Sequence, residues 1–333
     1  MIRIWLNHWF STAYSIIELI KENEQELYII GSNTNEDSVI KLVCDEWYLE
    51  PYISGDEYVD FCLDFCKKHN IQLFLPRREM LEISRRKAEF SEIGVKVMVE
   101  DYNMMNIFNQ KSKAYHFFTE NEIGIVPEYY IVTTLQEFIE AYRNLKEKYK
   151  RVCFKFEQDT GGKSYRLIDN SRKGYSALMK KQNTRMTLES VLDALDEKEV
   201  FDPIMVMPQL SGEEYSVDCL ETKNGLIMLP RVKDNSKIER LCYDEKILEM
   251  CSSFQKKACL QHPYNIQFKC LNGIPYFLEV NTRMSGGVQI ACLASEVNIP
   301  NIAVNKLLGR TVHWKIVKEE KKIGQILLPV VLE

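Results

Sequence analysis

Tyr264-Asn-Ile-Gln267-Phe-Lys269 and, after the turn Leu271-Asn-Gly273, Tyr276-Phe-Leu-Glu279-Val-Asn281-Thr-Arg283-Met-Ser285-Gly286-Gly287 form the stretch that decides how this chain is read. In a β-strand, residues two apart share a face. Glu279, Asn281 and Arg283 therefore project together, while Ile266 and Phe268 turn to the face opposite Gln267. The Asn-Gly turn can fold the second strand back on the first, so that Gln267 faces Glu279. Hard Mg²⁺ takes oxygen ligands and commonly uses one or two carboxylates, with phosphate oxygens and water completing the shell. One carboxylate and two amide oxygens meet that demand, and the planar fork of Arg283 suits phosphate. The plain alternative is a hairpin with one solvated polar face, and the rest of the chain decides between them.

Composition narrows the field. The chain has 333 residues, 45% hydrophobic and 27% charged, with a net charge of −5. That is an ordinary globular balance with room for about two or three domains. Arg77-Arg78 and Arg85-Arg86-Lys87 read as solvated helix faces, so no nucleic-acid partner is expected. No apolar run approaches the ~20 residues of a membrane span. Met1-Ile-Arg-Ile-Trp-Leu6 reads as a buried strand and not a secretory leader, so a cytoplasmic protein is expected. Ten cysteines are scattered without a C-x-x-C pair and read as reduced core residues.

From residue 1 to about 100, short apolar strands alternate with helical periods: Ile2–Leu6, Ala13–Lys21, Glu26–Ile30, Tyr58–His69, Leu73–Leu75, Met80–Ile93 and Lys96–Val99. This alternation predicts a parallel-sheet α/β unit. Asn7-His-Trp-Phe-Ser-Thr12 after the first strand has no G-x-G-x-x-G, so no dinucleotide site is expected there. Beyond Asp101 a helix opens around Lys111, and Gly124 and Pro127 stop it. A helix over Leu135–Tyr149 follows, with Thr133 or Thr134 as its cap. Val152-Cys-Phe-Lys155-Phe then reads as a strand. Lys155 inside this apolar strand must reach solvent or meet an anion, because an unpaired buried ammonium is costly.

Gly161-Gly162-Lys163 turns the chain into a further strand, a flap whose backbone N–H groups can lie over phosphates. After a helix at Leu188–Asp196, Ile204-Met-Val-Met207-Pro-Gln209-Leu210-Ser-Gly212 is a buried strand running into a linker. Met207, Gln209 and Leu210 can offer backbone groups to an adenine edge there, and Glu214 can accept from ribose hydroxyls.

Taken in order, these segments resemble the ATP-grasp superfamily, in particular the carboxylate-amine ligases and the ATP-binding halves of carbamoyl phosphate synthetase. The resemblance covers roughly residues 1–310. It implies an ATP-grasp fold, α/β and α+β, with an N-terminal pre-ATP-grasp three-layer α/β domain at 1–105. A central region at 106–210 would carry the small lobe and flap, and a C-terminal lobe at 211–333 the metal site. ATP should then lie between the last two lobes.

Lys111 and Lys155 match the two phosphate-binding lysines, Gly161-Gly162-Lys163 the flap, and Met207 to Glu214 the hinge around adenine and ribose. Gln267, Glu279 and Asn281 match the ligands of two Mg²⁺ ions, for which Mn²⁺ can substitute, and Arg283 matches the phosphate-contacting arginine. Three departures stand out: Gln110 where an acidic residue is common, Met207-Pro208 where a Glu is frequent, and few flap glycines.

The activity implied is an ADP-forming ligase that activates a carboxylate as an acylphosphate for attack by an amine, both small molecules. Arg231 would orient the carboxylate or acylphosphate, and Ser285-Gly286-Gly287 at a helix start would hold a carboxylate. A non-catalytic ATP-binding sensor or partner subunit, or an enzyme phosphorylating bicarbonate, are the competing readings. A homo-oligomer is compatible with all three.

Overall fold

The computed structural model describes residues 1–158, 162–171, 184–233, 238–326 and 328–332. It divides into two compact units. Unit 1 comprises Met1–Phe108, Glu213–Phe268 and Val280–Glu333, and unit 2 comprises Asn109–Gly212 and Lys269–Glu279.

Unit 1 begins with five parallel strands: β1 (Ile2–Asn7), β2 (Leu27–Asn33), β3 (Glu46–Leu49), β4 (Leu73–Leu75) and β5 (Lys96–Val97), in the order β3-β2-β1-β4-β5. Parallel strands covered on both faces need continuous apolar runs, and Ile4, Trp5 and Leu6 are fully buried. On one face Ile4 and Leu6 join Ile16, Ile17 and Ile20 of α1 (Ala13–Lys21). On the other, Trp5 stacks against Phe74 at 4.2 Å and against Phe65 of α2 (Gly55–Lys68) at 4.3 Å. These are the three layers expected. The period over Met80–Ile93 is realised as two helices, α3 (Met80–Arg85) and α4 (Lys87–Glu92). Arg86 leaves helical backbone between them (φ −105°, ψ 21°) while its guanidinium bonds Asp60 and Glu89. Helix α5 (Tyr102–Phe108) closes this part.

Unit 2 contains α6 (Lys111–Glu120), β6 (Tyr130–Val132), α7 (Leu135–Lys148), β7 (Val152–Phe156), β8 (Arg166–Ile168), β9 (Arg185–Met186), α8 (Leu188–Asp196) and β10 (Ile204–Pro208). Its sheet runs β6-β10-β7-β8-β9 around Phe138, Leu145, Phe154, Ile204 and Val206. Thr134 caps α7 through a complete capping box with Glu137, satisfying two otherwise orphaned donors.

The chain then returns to unit 1 with β11 (Glu214–Thr222), β12 (Gly225–Lys233), β13 (Ile238–Leu241) and α9 (Glu245–Ala258); β14 (Tyr264–Leu271) passes into unit 2 after Phe268, and β15 (Ile274–Asn281) leaves it at Val280. Asn272 and Gly273 both take positive φ, 53° and 79°, the pair a type I′ hairpin turn requires. Helices α10 (Val288–Ser295) and α11 (Ile299–Leu308) and strand β16 (Lys322–Gly324) complete the fold, and the second sheet runs β15-β14-β11-β12-β13-β16. Between Gly287 and Gly309 the chain forms two helices and not one, because Glu296 turns left-handed (φ 62°) and Pro300 occupies the first turn of α11. Leu220, Ile227, Leu229, Met284 and Val288 extend the core begun by Ile4 and Leu6. Of the closing tail, Trp314 bonds Thr222, while Ile326, Leu328 and Val331 are exposed.

Candidate active site

In unit 2, Lys111 opens α6 and is only 8% exposed; its ammonium donates to the Glu157 carbonyl at 3.0 Å. Lys155 lies on β7 opposite Met205 of β10 and is 7% exposed. Its neighbour two residues back, Cys153, has a thiol pushed up to about 11 by burial, against a hydrogen bond from Tyr165 and the pull of Lys155 and Lys269. Tyr115 lies one helical turn after Lys111 on α6. Its phenol is raised by burial, then by the charges of Glu279 and Cys153, and its OH is buried without a hydrogen-bond partner. Lys155, Cys153, Tyr115 and Glu279 thus share one electrostatic neighbourhood. An orphaned buried hydroxyl beside a carboxylate is the kind of exception that calls for an explanation.

Of the flap, Gly161 lies outside the described residues. Gly162 takes the left-handed conformation (φ 65°) in the turn that Tyr165 N–H closes on the Gly162 carbonyl, and Lys163 is exposed. In the linker, Met207 and Pro208 sit in the ladder opposite Cys153 and Val152. The Gln209 N–H is spent on the Arg151 carbonyl at 3.0 Å, and Leu210 is buried.

In unit 1 one face of the second sheet carries a polar row where an apolar surface would be the default. Arg231 on β12 is 1% exposed. Its Nε and Nη2 donate to Asp218 Oδ2 on β11 (3.1 and 2.9 Å), its Nη1 pairs with Glu239 on β13, and its Nη2 also reaches Ser285 Oγ (3.1 Å). Burial works against its charge, but Asp218 and Glu239 outweigh that and hold its pKa above the ordinary value. Next along, Asn265 on β14 donates through Nδ2 to Asp218 Oδ1 (2.9 Å) and Ser216 Oγ (3.0 Å), and accepts from Gln267 Nε2 (2.9 Å). Gly287 lies over the same guanidinium, so close that a Cβ there would fall 2.5 Å from Nη1. Glu214, expected near ribose, pairs with Lys233 directly across β12 at 2.9 Å.

Glu279 and Asn281 stand two apart on β15, the strand beside β14. Arg283 follows, donating to the Met284 carbonyl at 3.3 Å. Desolvation draws its pKa down to about 10, so it stays charged at neutral pH, and among the described residues no carboxylate pairs with it. A desolvated guanidinium without a counter-charge is an anion site in waiting. By type, Gln267, Glu279 and Asn281 offer one carboxylate and two amide oxygens, the donor chemistry a hard divalent cation takes. Ser216, Asp218, Glu239 and Asn265 were not singled out in the sequence. The available signal was the same two-residue alternation, in Ser216-Val-Asp218 and Asn265-Ile-Gln267.

An N-terminal parallel sheet, a small lobe with two buried lysines, and a pair of strands ending in N-x-R together make an ATP-grasp fold, and the C-terminal part of the chain matches an ATP-grasp family profile. More particularly, a family profile described as ATP-grasp in the biosynthetic pathway with Ter operon matches residues 200–326, and one described as PylC-like, N-terminal domain, matches residues 11–98. The arginine-specific large chain of carbamoyl phosphate synthase from Geobacillus stearothermophilus is similar, at 23% identity over 96% of this chain. The chain spans only 29% of that relative's length. Among solved structures, N5-carboxyaminoimidazole synthetase from Staphylococcus aureus, complexed with ADP, superposes with a TM-score of 0.73 at 12% identity, covering 98% of this chain and 82% of that one. L-amino acid ligase from Bacillus licheniformis superposes with a TM-score of 0.66 at 12% identity, covering 92% and 74%.

Proposed function

We propose that this chain is an ATP-dependent ligase that phosphorylates a small carboxylate to an acylphosphate, releases ADP, and lets an amine displace phosphate. The observation that carries the reading is Arg283, desolvated and without a carboxylate partner among the described residues, following Glu279 and Asn281 at two-residue spacing. Phosphoryl transfer rests on positioning and charge neutralisation more than on covalent help from the protein. In this reading Lys111, Lys155 and Arg283 are the cations that would neutralise nucleotide phosphates. Gln267, Glu279 and Asn281 would hold Mg²⁺, one ion or two, with Mn²⁺ as substitute. Bound there, the metal would screen the transferring group and the leaving oxygen. Gly162 and Lys163 would close over the phosphates, and Leu210 would border adenine. The loop Ser285-Gly286-Gly287 would receive the carboxylate.

The likeness to L-amino acid ligase supports an amino-acid-like substrate. Gln267 and the carbamoyl phosphate synthase relative support bicarbonate as an alternative acceptor. ADP release from Mg·ATP, measured against pools of amino acids and small carboxylates with and without amines, tests both. Release that requires one pair and disappears in Glu279→Ala is expected. Bicarbonate-dependent release without an amine would select the alternative, and ATP binding without release in any pool would overturn both.

A further inference from the structure

We infer that Asn265, locked by the Asp218–Arg231 pair, is a positioning residue that sets which end of the Gln267 amide faces the metal; the inference rests on Gln267 being a metal ligand. The argument is one of hydrogen-bond polarity. An amide side chain has a donor end and an acceptor end of nearly the same shape, and only its surroundings choose the orientation. A cation takes the oxygen, so a flipped Gln267 would present its NH₂ and lose the bond.

The polarity starts at Arg231, which has donors only. It takes both Nε and Nη2 to Asp218 Oδ2, and so holds that carboxylate in one orientation. Asp218 Oδ1 accepts only, so it draws the Nδ2 of Asn265 at 2.9 Å, and Ser216 Oγ receives the same group at 3.0 Å. Asn265 Oδ1 is thereby turned to Gln267, whose Nε2 donates to it at 2.9 Å. The Gln267 oxygen is left on the far side of its planar group. Every member upstream of Gln267 is buried: Arg231, Asp218, Ser216 and Asn265 are all under 3% exposed. Water is therefore kept from scrambling the order, and a buried network that is fully satisfied holds one arrangement. Strand geometry supports the same assignment. Ser216 pairs with Arg231 in the β11–β12 register, and Asn265 and Gln267 share a face of β14. The guanidinium also donates to Ser285 and underlies Gly287, so the loop before α10 and the Gln267 amide share one anchor.

The test is Mn²⁺ binding, followed by the loss of the free-ion electron paramagnetic resonance signal, with the β,γ-imido analogue of ATP present. Asn265→Leu keeps the side-chain shape and removes the polarity; Asn265→Ala serves if the leucine variant fails to fold. Mn²⁺ affinity should fall about tenfold or more, the usual effect of losing an outer-shell partner. Gln267→Glu supplies a carboxylate, which needs no choice of end. In that background the Asn265 substitution should cost about twofold or less, since the orientation it set no longer matters. An equal loss in both backgrounds would mean that Asn265 only supports the sheet, and unchanged affinity in Asn265→Leu would equally overturn the relay. Mn²⁺ binding that is unchanged in Gln267→Ala would remove the metal role of Gln267, and the relay with it.

Discussion

Replacing Gly287 and Gly286 separately by alanine separates close packing from backbone freedom at adjacent positions. Neither glycine has a positive φ, and Gly287 sits at φ −118°, ψ 8°, which alanine can adopt. Their surroundings differ sharply. A Cβ on Gly287 would fall 2.5 Å from Arg231 Nη1 and 2.9 Å from Cζ and Nη2, whereas one on Gly286 would meet only Thr12 Oγ1 at 3.8 Å. The guanidinium cannot step aside cheaply, because Asp218, Glu239 and Ser285 hold it and it is buried. Overpacking at such a site costs about 1–3 kcal/mol, and the upper part of that range applies if the Asp218 pair is strained as well. Gly286→Ala should be neutral or stabilising by up to about 1 kcal/mol through the unfolded chain. Urea titration followed by tryptophan fluorescence reads the difference as a lowered midpoint for Gly287→Ala at unchanged slope. Equal midpoints for the two variants would refute the claim that Arg231 is pinned beneath the loop.

Three further outcomes follow from the structure. His262 is held neutral, its pKa lowered to about 3 by burial and then by Lys87 and Lys306. The unfolded chain protonates near 6.5, so it binds the extra proton below that pH, and stability should fall as pH drops from about 6.5 toward 3 by less than about 1.4 kcal/mol per unit. His262→Gln should flatten that slope in urea midpoints taken across the range, and an unchanged slope would deny His262 its share. Thr134→Ala removes the capping box of α7 and should cost about 1 kcal/mol, visible as a lowered melting midpoint; no shift would mean the cap is redundant. Chelation of divalent cations should abolish ADP formation and Mg²⁺ should restore it, and turnover that persists in excess EDTA would sink the metal assignment.

Much of the local structure was legible because it depends on neighbours in sequence. The limits of α1, α8 and β7, the cap at Thr134 and the Asn272-Gly273 turn follow from side-chain period and local backbone preference. Breaks inside long periods were less legible. Arg86 interrupts one helix and Glu296 another, at positions that the apolar period does not mark.

For the candidate site, the sequence by itself determined which side chains share a strand face: Glu279 with Asn281, Asn265 with Gln267, Ser216 with Asp218. That alternation is covalent geometry and needs no partner strand. Only the tertiary structure decided what those faces meet. The order β15-β14-β11-β12-β13-β16 joins strands from separate stretches of chain, and it buries Arg231 against Asp218 and Glu239. Arg283, an arginine of the same sheet region, is left without a carboxylate among the described residues. Charge pairing across strands depends on distance in space, which a linear sequence does not carry.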